Sequence, residues 1–418
     1  MISPGLGVIF FINPENKNSV LYLAACLEQR LPDVPLWLCN PDTEKGRKVL
    51  ADHGGARATV FLFSFTSFSR DANFRLLRLM KKKQAGKQAV FAAGGVHPTV
   101  APEECLSAGF DLVFRGEGEA SLPEIIGSLL SRGTDVPSEP RGVIEQKDPA
   151  CLDSWIPYLK KYNSFMPVEL MRGCPYECGF CLTPRVSGRR VRQRSPENVL
   201  RTASMMDTST RNYMRFIAPN SFSYLSAGIK DSEGLSFFLK ELRGTLGRQG
   251  KIYFGTFPSE VRPEWVTAEK LSLVGEFCDN RSVSVGIQSG SDRILGKIKR
   301  GHTAAQAAAS IEALRGSGLA GIFDFMTGFP GEDALSFRET ADMMEYAAGS
   351  GGSINLHYFM PLPGTEMEDQ KPVSVPGDIR RRYKALEKKG RLKGKWEYQE
   401  KTGSLRRFRG NVPGTIFY

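Results

Sequence analysis

The sequence predicts an α/β protein: a Rossmann-like parallel sheet, then a partial (β/α)6 barrel, then a basic C-terminal extension. Three observations predict it. Short apolar runs alternate with longer polar-apolar segments over residues 1 to about 130, the alternation restarts at Pro167, and the basic surplus collects after Ile379. The 418 residues suffice for roughly two or three domains with full cores.

In the first series the strands read Gly7–Ile12, Leu36–Cys39, Val60–Ser64, Ala89–Ala93 and Leu112–Phe114, with helix-like stretches such as Ser19–Arg30 and Asp71–Lys83 between them. In an open sheet of this kind a ligand sits outside the carboxyl ends of the strands. Those ends carry Ser64-Phe65-Thr66-Ser67, Gly94-Gly95-Val96-His97-Pro98 and Arg115-Gly116-Glu117-Gly118-Glu119. Glycine there permits positive φ or close backbone approach, although any βα turn has the same need.

Residues 134–165 read as a linker, rich in Pro, Asp and Glu up to Asp153. The second series then opens with a strand at Pro167–Met171. Further strands are expected at Tyr213–Ile217, Ile252–Phe254, Val283–Ile287, Ile322–Thr327 and Ile354–Phe359. Ser195-Pro196 supplies an N-cap and a first-turn proline for a helix over Glu197–Met206, and Thr303–Arg315 and Phe337–Ala348 are helix-like. The domains expected are therefore 1–133, 166–370 and a basic extension, 371–418. Chemistry in such barrels gathers at the carboxyl ends of the strands.

Directly after the first strand of the second series stands Cys174-Pro175-Tyr176-Glu177-Cys178-Gly179-Phe180-Cys181. C-x3-C-x2-C offers three thiolates, the ligand type that suits iron–sulfur clusters, and leaves one iron of a cubane open. The alternatives are three buried structural cysteines or a zinc knuckle, but zinc takes paired C-x2-C units and no second pair is present. Cys26, Cys39, Cys105, Cys151 and Cys278 are scattered, as in a reducing compartment. The first residues show no basic leader and only a strand-length apolar run, so a cytoplasmic, membrane-free protein is expected.

The cysteine run resembles the defining motif of the radical S-adenosylmethionine (SAM) enzymes. The resemblance implies a [4Fe-4S] cluster on Cys174, Cys178 and Cys181 as the catalytic and metal-binding centre, with SAM chelated at the open iron. It also implies an external electron donor such as ferredoxin or flavodoxin. By the same resemblance Phe180 packs near adenine, while Asn220, Ser221, Ser259, Glu260, Gln288 and Ser289 face the carboxylate, amino group and ribose of SAM. Each is also an ordinary cap or turn residue type. The segments Gly286–Asp292, Arg300–Thr303, Gly328–Glu332 and Met360–Thr365 extend the likeness through the barrel.

The strand-end loops of the first series look like the cobalamin-binding domain that precedes the cluster motif in one group of radical enzymes. That implies cobalamin held by Ser64, Thr66, Ser67, Gly94, Gly95, His97, Gly116, Glu117 and Gly118. None of His53, His97, His302 and His357 has Asp two residues earlier, so the D-x-H-x-x-G cobalt-ligating motif is missing. His97 is expected to contact the nucleotide tail, orient a loop or serve as a plain turn histidine, and the loop Ser64–Arg70 to meet the lower face of cobalt.

The resemblance implies a cobalamin-dependent radical SAM C-methyltransferase that works through methylcobalamin and a 5′-deoxyadenosyl radical on an unactivated sp3 carbon. Compact enzymes of this layout modify amino-acid residues of methyl-coenzyme M reductase, including a glutamine, so a protein or peptide substrate is the expected partner. A small-molecule methylase of natural-product biosynthesis, a tRNA methylthiotransferase and a non-enzymatic cobalamin/Fe–S sensor or RNA-binding factor are the alternatives. Methylthiotransferases carry a second cluster on cysteines at the ends of the first strands, where this chain has Asn13-Pro14-Glu15, Ser64-Phe65-Thr66 and Gly94-Gly95-Val96.

The net charge is +11, and Ile379–Arg409 holds 13 Lys/Arg against three Glu. A solvated face is one reading. The other is contact with an acidic protein substrate, with Ile416, Phe417 and Tyr418 tucked against the barrel mouth. Nucleic acid is not expected, because the tail lacks alternating strand patterning.

Overall fold

The computed structural model describes residues 5–51, 56–131, 142–146, 148–206 and 212–403. It divides into two compact units that meet in sequence at Met166 and Pro167.

The first unit is built on a fully parallel sheet. Its strands are β1 (Leu6–Phe11), β2 (Leu36–Cys39), β3 (Ala58–Ser64), β4 (Gln88–Gly94), β5 (Leu112–Arg115) and β6 (Gly142–Glu145), in the order β2-β1-β3-β4-β5-β6. Burial explains why they form: β1 and β3 are buried at every position, as strands covered on both faces must be. Phe11, Phe61, Phe63, Phe91 and Phe110 pack into one cluster with Leu77 and Met80 of the helix Arg70–Lys83. The strand order reverses between β1 and β3, which makes their carboxyl ends the switch point where such sheets bind ligands.

β6 lies within the stretch expected to be a linker. It pairs with β5 from Leu112–Gly142 to Arg115–Glu145, and the short antiparallel pair Tyr158–Leu159 and Ser164–Phe165 follows it. The linker reading failed because Pro, Asp and Glu mark turns, whereas the four residues of β6 are recruited by an open sheet edge rather than by their own pattern.

In the second unit β7 (Val168–Glu169), β8 (Tyr213–Ile217) and β9 (Lys251–Tyr253) form a parallel sheet in the order β9-β8-β7. β10 (Ser282–Gln288), β11 (Ala320–Thr327), β12 (Ser353–Tyr358) and β13 (Leu392–Lys393) form a second one in chain order. The two are stitched by Ser284 N–H to Gly255 O (2.9 Å) and Val261 N–H to Ser284 O (2.8 Å). All six strands expected from the sequence form, and β13 joins them. Helix starts follow their caps: the Ser195 side chain accepts from Asn198 N–H, and Thr303 and Gln306 close a capping box.

β13 was not anticipated. The stretch expected to be a basic extension folds onto the second unit through the helix Gly377–Lys388, with Ile379, Tyr383 and Leu386 buried, and through β13 on the edge of β12. Three of its cations are paired: Arg380 with Glu400 (2.6 Å), Arg382 with Asp342 and Glu345 (2.5 and 2.7 Å), and Lys384 with Glu387 and Glu397 (2.7 and 2.6 Å). Net charge along the chain hid this, because several of the acids come from another helix, Ala334–Gly349. Ile416, Phe417 and Tyr418 lie outside the described residues. Among the described residues no helix is long and apolar enough to cross a membrane.

Candidate functional site

The first candidate site is a recess at the switch point, lined by Phe10 of β1, Leu62, Phe63 and Ser64 of β3, Ala93 and Gly94 of β4, and Phe114 of β5. Gly95, Gly116, Gly118 and Leu23 complete it. Gly95 has φ +97°, and a Cβ there would stand 2.9 Å from Ser64 Oγ and 3.0 Å from Phe65 N. A Cβ on Gly118 would approach Leu23 to 3.2 Å. The opening is kept by glycines and walled by apolar groups, which suits a flat, largely apolar ring system.

Of the residues expected here, Ser64, Gly94, Gly95, Gly116 and Gly118 line the recess, and Thr66, Ser67, His97 and Glu117 do not. His97 is wholly buried. Its Nδ1 is 3.0 Å from Ser67 Oγ, and its ring tilts against Phe65 at 5.8 Å. Burial, followed by the Arg70 charge, lowers its pKa to about 4. Glu104, 3.3 Å from Nε2, does not reverse this because it also pairs with Arg70 at 3.2 Å. His97 thus makes its contacts within the loop, to Ser67 and Phe65.

The second site surrounds the cysteine run. Gly173, at φ +87°, turns the chain where a Cβ would stand 2.3 Å from Arg190 O, and Cys174 N–H bonds Gly188 O at 3.1 Å. Inside the loop the Tyr176 ring lies under the Arg262 guanidinium at 3.4 Å, and its hydroxyl donates to Glu264 at 3.2 Å. Gly179 N–H bonds Ile298 O (3.0 Å), and Phe180 packs on Phe329 at 5.6 Å. Cys178 is buried and Cys174 and Cys181 are half-buried. Burial raises the thiols of Cys174 and Cys181, while Arg262 and Arg300 pull Cys174 back.

Arg300 ties this loop to the strand ends: Nη1 is 3.7 Å from Cys178 Sγ and Nη2 donates to Gly286 O at 2.7 Å. A Cβ on Gly286 would stand 2.6 Å from Arg300 Nη2, 2.7 Å from Glu260 Oε2 and 3.1 Å from Gln288 Nε2, so three polar side chains converge on a gap that only glycine leaves. Gln288 has φ +74°, unusual for a residue with a side chain, at a register shift between β10 and β11. Burial raises Glu260, opposed by Arg300, and raises Asp324 well above the usual carboxylate range, with Glu260 adding to it. Asp324 accepts from Asn355 Nδ2 at 2.6 Å, and Asn355 in turn meets His357 Nε2 at 3.0 Å.

Of the expected SAM-facing residues, the structure thus gathers Glu260 and Gln288. Ser259 bonds Phe216 O (2.7 Å), Ser289 bonds Thr340 (2.9 Å), and Asn220 Oδ1 accepts from Arg262 N–H (3.2 Å). Ser221 is wholly buried, with its N–H on Glu260 O. These four shape the loops from within. Sequence reasoning missed Arg262, Arg300 and Asp324 as site residues. Asp324 carried a signal, being a lone acid inside the apolar run Ile322-Phe323-Asp324-Phe325-Met326.

Residues 168–344 match the radical SAM superfamily model, and residues 15–126 match the B12-binding domain model. The chain carries a radical SAM domain and a B12-binding domain. These two domains bring a [4Fe-4S] cluster and SAM to the second unit and cobalamin to the first. Among curated relatives it is 26% identical over 325 residues to the uncharacterized protein MK0932 of Methanopyrus kandleri, covering 66% of this chain and 61% of that one. It is 26% identical over 323 residues to tRNA-2-methylthio-N(6)-dimethylallyladenosine synthase of Moorella thermoacetica, covering 75% and 69%. The chain therefore spans less than two thirds of the Methanopyrus relative. Its fold is that of the radical SAM methyltransferase TsrM from Kitasatospora setae, solved with cobalamin and a [4Fe-4S] cluster (TM-score 0.65, 14% identity, 87% of this chain and 74% of that one). It is also that of the cobalamin-dependent radical enzyme OxsB (TM-score 0.60, 16% identity, 82% and 52%).

The residues present fit these groups. Three thiols on one loop, with Arg262 and Arg300 beside them, form a soft anionic donor set with charge compensation. Among the described residues no three His, Cys, Asp or Glu side chains close on a single metal ion.

Proposed function

We propose that the protein is a cobalamin-dependent radical SAM C-methyltransferase acting on an unactivated sp3 carbon of an amino-acid residue in a protein. A glutamine of methyl-coenzyme M reductase is the case the sequence resemblance supplies. When bound, the cluster and SAM supply a hydrogen-abstracting radical, and the corrinoid supplies the methyl group. The residues of the chain bind, orient and exclude water. Cys174, Cys178 and Cys181 would hold the cluster. Arg300 would meet the SAM carboxylate, Glu260 and Asp324 its ammonium, and Gln288 the ribose. Burial raises both carboxyls and the Glu260 charge raises Asp324 further, so a cation placed beside them relieves both, and the SAM amino group is such a cation.

The observation that carries this reading over tRNA methylthio transfer is the chemistry of the switch-point recess, whose lining is glycine, serine and apolar groups. The four cysteines of that unit are placed elsewhere: Cys26 Sγ donates to Glu119 O (3.0 Å), Cys39 Sγ to Gly46 O (3.4 Å), Cys105 packs in the aromatic core, and Cys151 is exposed outside the recess lining. The deciding experiment supplies the reconstituted, cobalamin-loaded protein with SAM bearing a deuterated methyl group, a low-potential reductant and cell extract. Deuterated methyl on carbon of a protein residue, with 5′-deoxyadenosine formed, is the expected result. Label recovered as methylthio groups on tRNA, or only in small molecules, overturns the reading.

A further inference from the structure

A second cavity opens in the radical SAM unit between β8, β9 and the start of β10, lined by Arg215, Lys251, Tyr253, Thr256, Asp279, Asn280, Arg281 and Ser282. Lys251 and Ser282 are the first residues of their strands, so the cavity begins at the amino ends. The cysteine loop and Gln288 belong to the opposite, carboxyl ends. It shares no lining residue with the Arg300, Glu260 and Gln288 cluster, and nothing in the proposed chemistry uses it.

Three of its lining residues are cations. The one acid, Asp279, is already committed: Oδ2 accepts from Arg243 Nη2 at 2.5 Å and from Ile252 N–H at 2.8 Å. Arg215, Lys251 and Arg281 form no ion pair among the described residues, whereas Arg380, Arg382 and Lys384 of the C-terminal helix do. Arg215 is also held in place. Its Nη1 donates to Phe257 O at 2.8 Å and its guanidinium stacks 4.6 Å from the Tyr253 ring, so its remaining donors face the cavity at little further entropic cost. Asn280 is spent on the backbone of Phe254 and Ser282, which leaves Thr256 and Ser282 as neutral donors. Uncompensated cations on three chain segments around one concave polar space, one of them preset by stacking, are the arrangement that binds a small polyanion.

We infer that this cavity is a binding site for a small molecule or group carrying two or more phosphate or carboxylate charges, held at the amino end of the barrel. Arg215 would give the oriented contact, and Lys251 and Arg281 the entry charge. Arg215 stands two residues before the end of β8, so a ligand seated there reaches to within about 7 Å of strand rise of the SAM-facing loops.

The test is isothermal titration of the full-length protein with pyrophosphate and, separately, with citrate, at low ionic strength and against sodium chloride of matched ionic strength. One-to-one binding is expected, weakened about tenfold by Lys251→Gln or Arg281→Gln and unchanged by Lys82→Gln on the exposed face of the first unit. Both substituted residues are exposed, so folding is not at stake, and the readout involves neither cluster nor SAM. It can therefore fail without touching the proposed function. Tighter pyrophosphate marks a phosphate ligand and tighter citrate a carboxylate, and either supports the site. Absence of binding up to about 1 mM, equal displacement by chloride, or parental affinity in both Lys251→Gln and Arg281→Gln overturns it.

Discussion

Replacing Gly286 with alanine probes the polar convergence most sharply. The φ of Gly286 is not in the left-handed region, so the backbone accepts alanine. The space does not. The added Cβ would stand 2.6 Å from Arg300 Nη2 and 2.7 Å from Glu260 Oε2, roughly 0.8 and 0.7 Å short of an ordinary 3.4 Å contact. Moving Arg300 Nη2 by that amount stretches its 2.7 Å bond to Gly286 O to about 3.5 Å, the limit of a hydrogen bond. It also draws the guanidinium off the line it shares with Cys178. A charge-assisted hydrogen bond is worth roughly 1.5–3 kcal/mol, so SAM affinity should fall about 10- to 150-fold. Equilibrium dialysis with SAM and the yield of 5′-deoxyadenosine from the reduced protein measure this, with thermal melting as the fold control. Arg300→Met, which adds no atom to the gap, should give a loss of similar size. Affinity within about twofold of the parent in both variants, with normal melting, would refute the assignment of Arg300, Glu260 and Gln288 to SAM.

Alanine at Cys174, Cys178 or Cys181 should remove the cluster and abolish SAM cleavage while cobalamin binding persists, as read by iron and sulfide analysis and by the corrinoid spectrum. Gly95→Ala, with its Cβ pressed onto Ser64 and Phe65, should weaken cobalamin binding about tenfold, in line with an overpacking cost of roughly 1–3 kcal/mol. His97, held near pKa 4 against an ordinary 6.5, takes up a proton only on unfolding. Its contribution is complete above pH 6.5 and is lost as pH falls toward 4, on the order of 3 kcal/mol across that window; urea titrations of His97→Gln should show a flatter acid limb. Arg382→Glu should lower the melting temperature through lost and reversed pairs with Asp342 and Glu345, by an amount on the order of 1 kcal/mol for exposed pairs. An unchanged melt would mean those pairs are only crystallographic-style surface contacts of no energetic weight.

Local signals carried most of the architecture. Apolar runs of strand length, Ser195-Pro196 and Thr303 at helix starts, and three cysteines at C-x3-C-x2-C spacing are properties of neighbouring residues, so the two strand–helix series and the cluster loop were legible directly. The switch-point glycines were legible for the same reason, since Gly94-Gly95 and Gly116-x-Gly118 mark turns wherever they occur. Tertiary structure decided what depends on distant partners. Gly142–Glu145 and Leu392–Lys393 become strands because a sheet edge offers them hydrogen bonds, and the basic helix is neutralised by acids from another helix. Among the polar strand-end residues, sequence cannot tell a side chain spent on a backbone carbonyl, such as Ser259 or Ser289, from one aimed into a gap, such as Glu260 or Gln288. That difference is set by which carbonyl or hydroxyl folding brings within 3 Å. For the same reason Arg300 and Asp324, 24 residues apart in the chain, enter the site only when parallel strands lay their neighbours side by side.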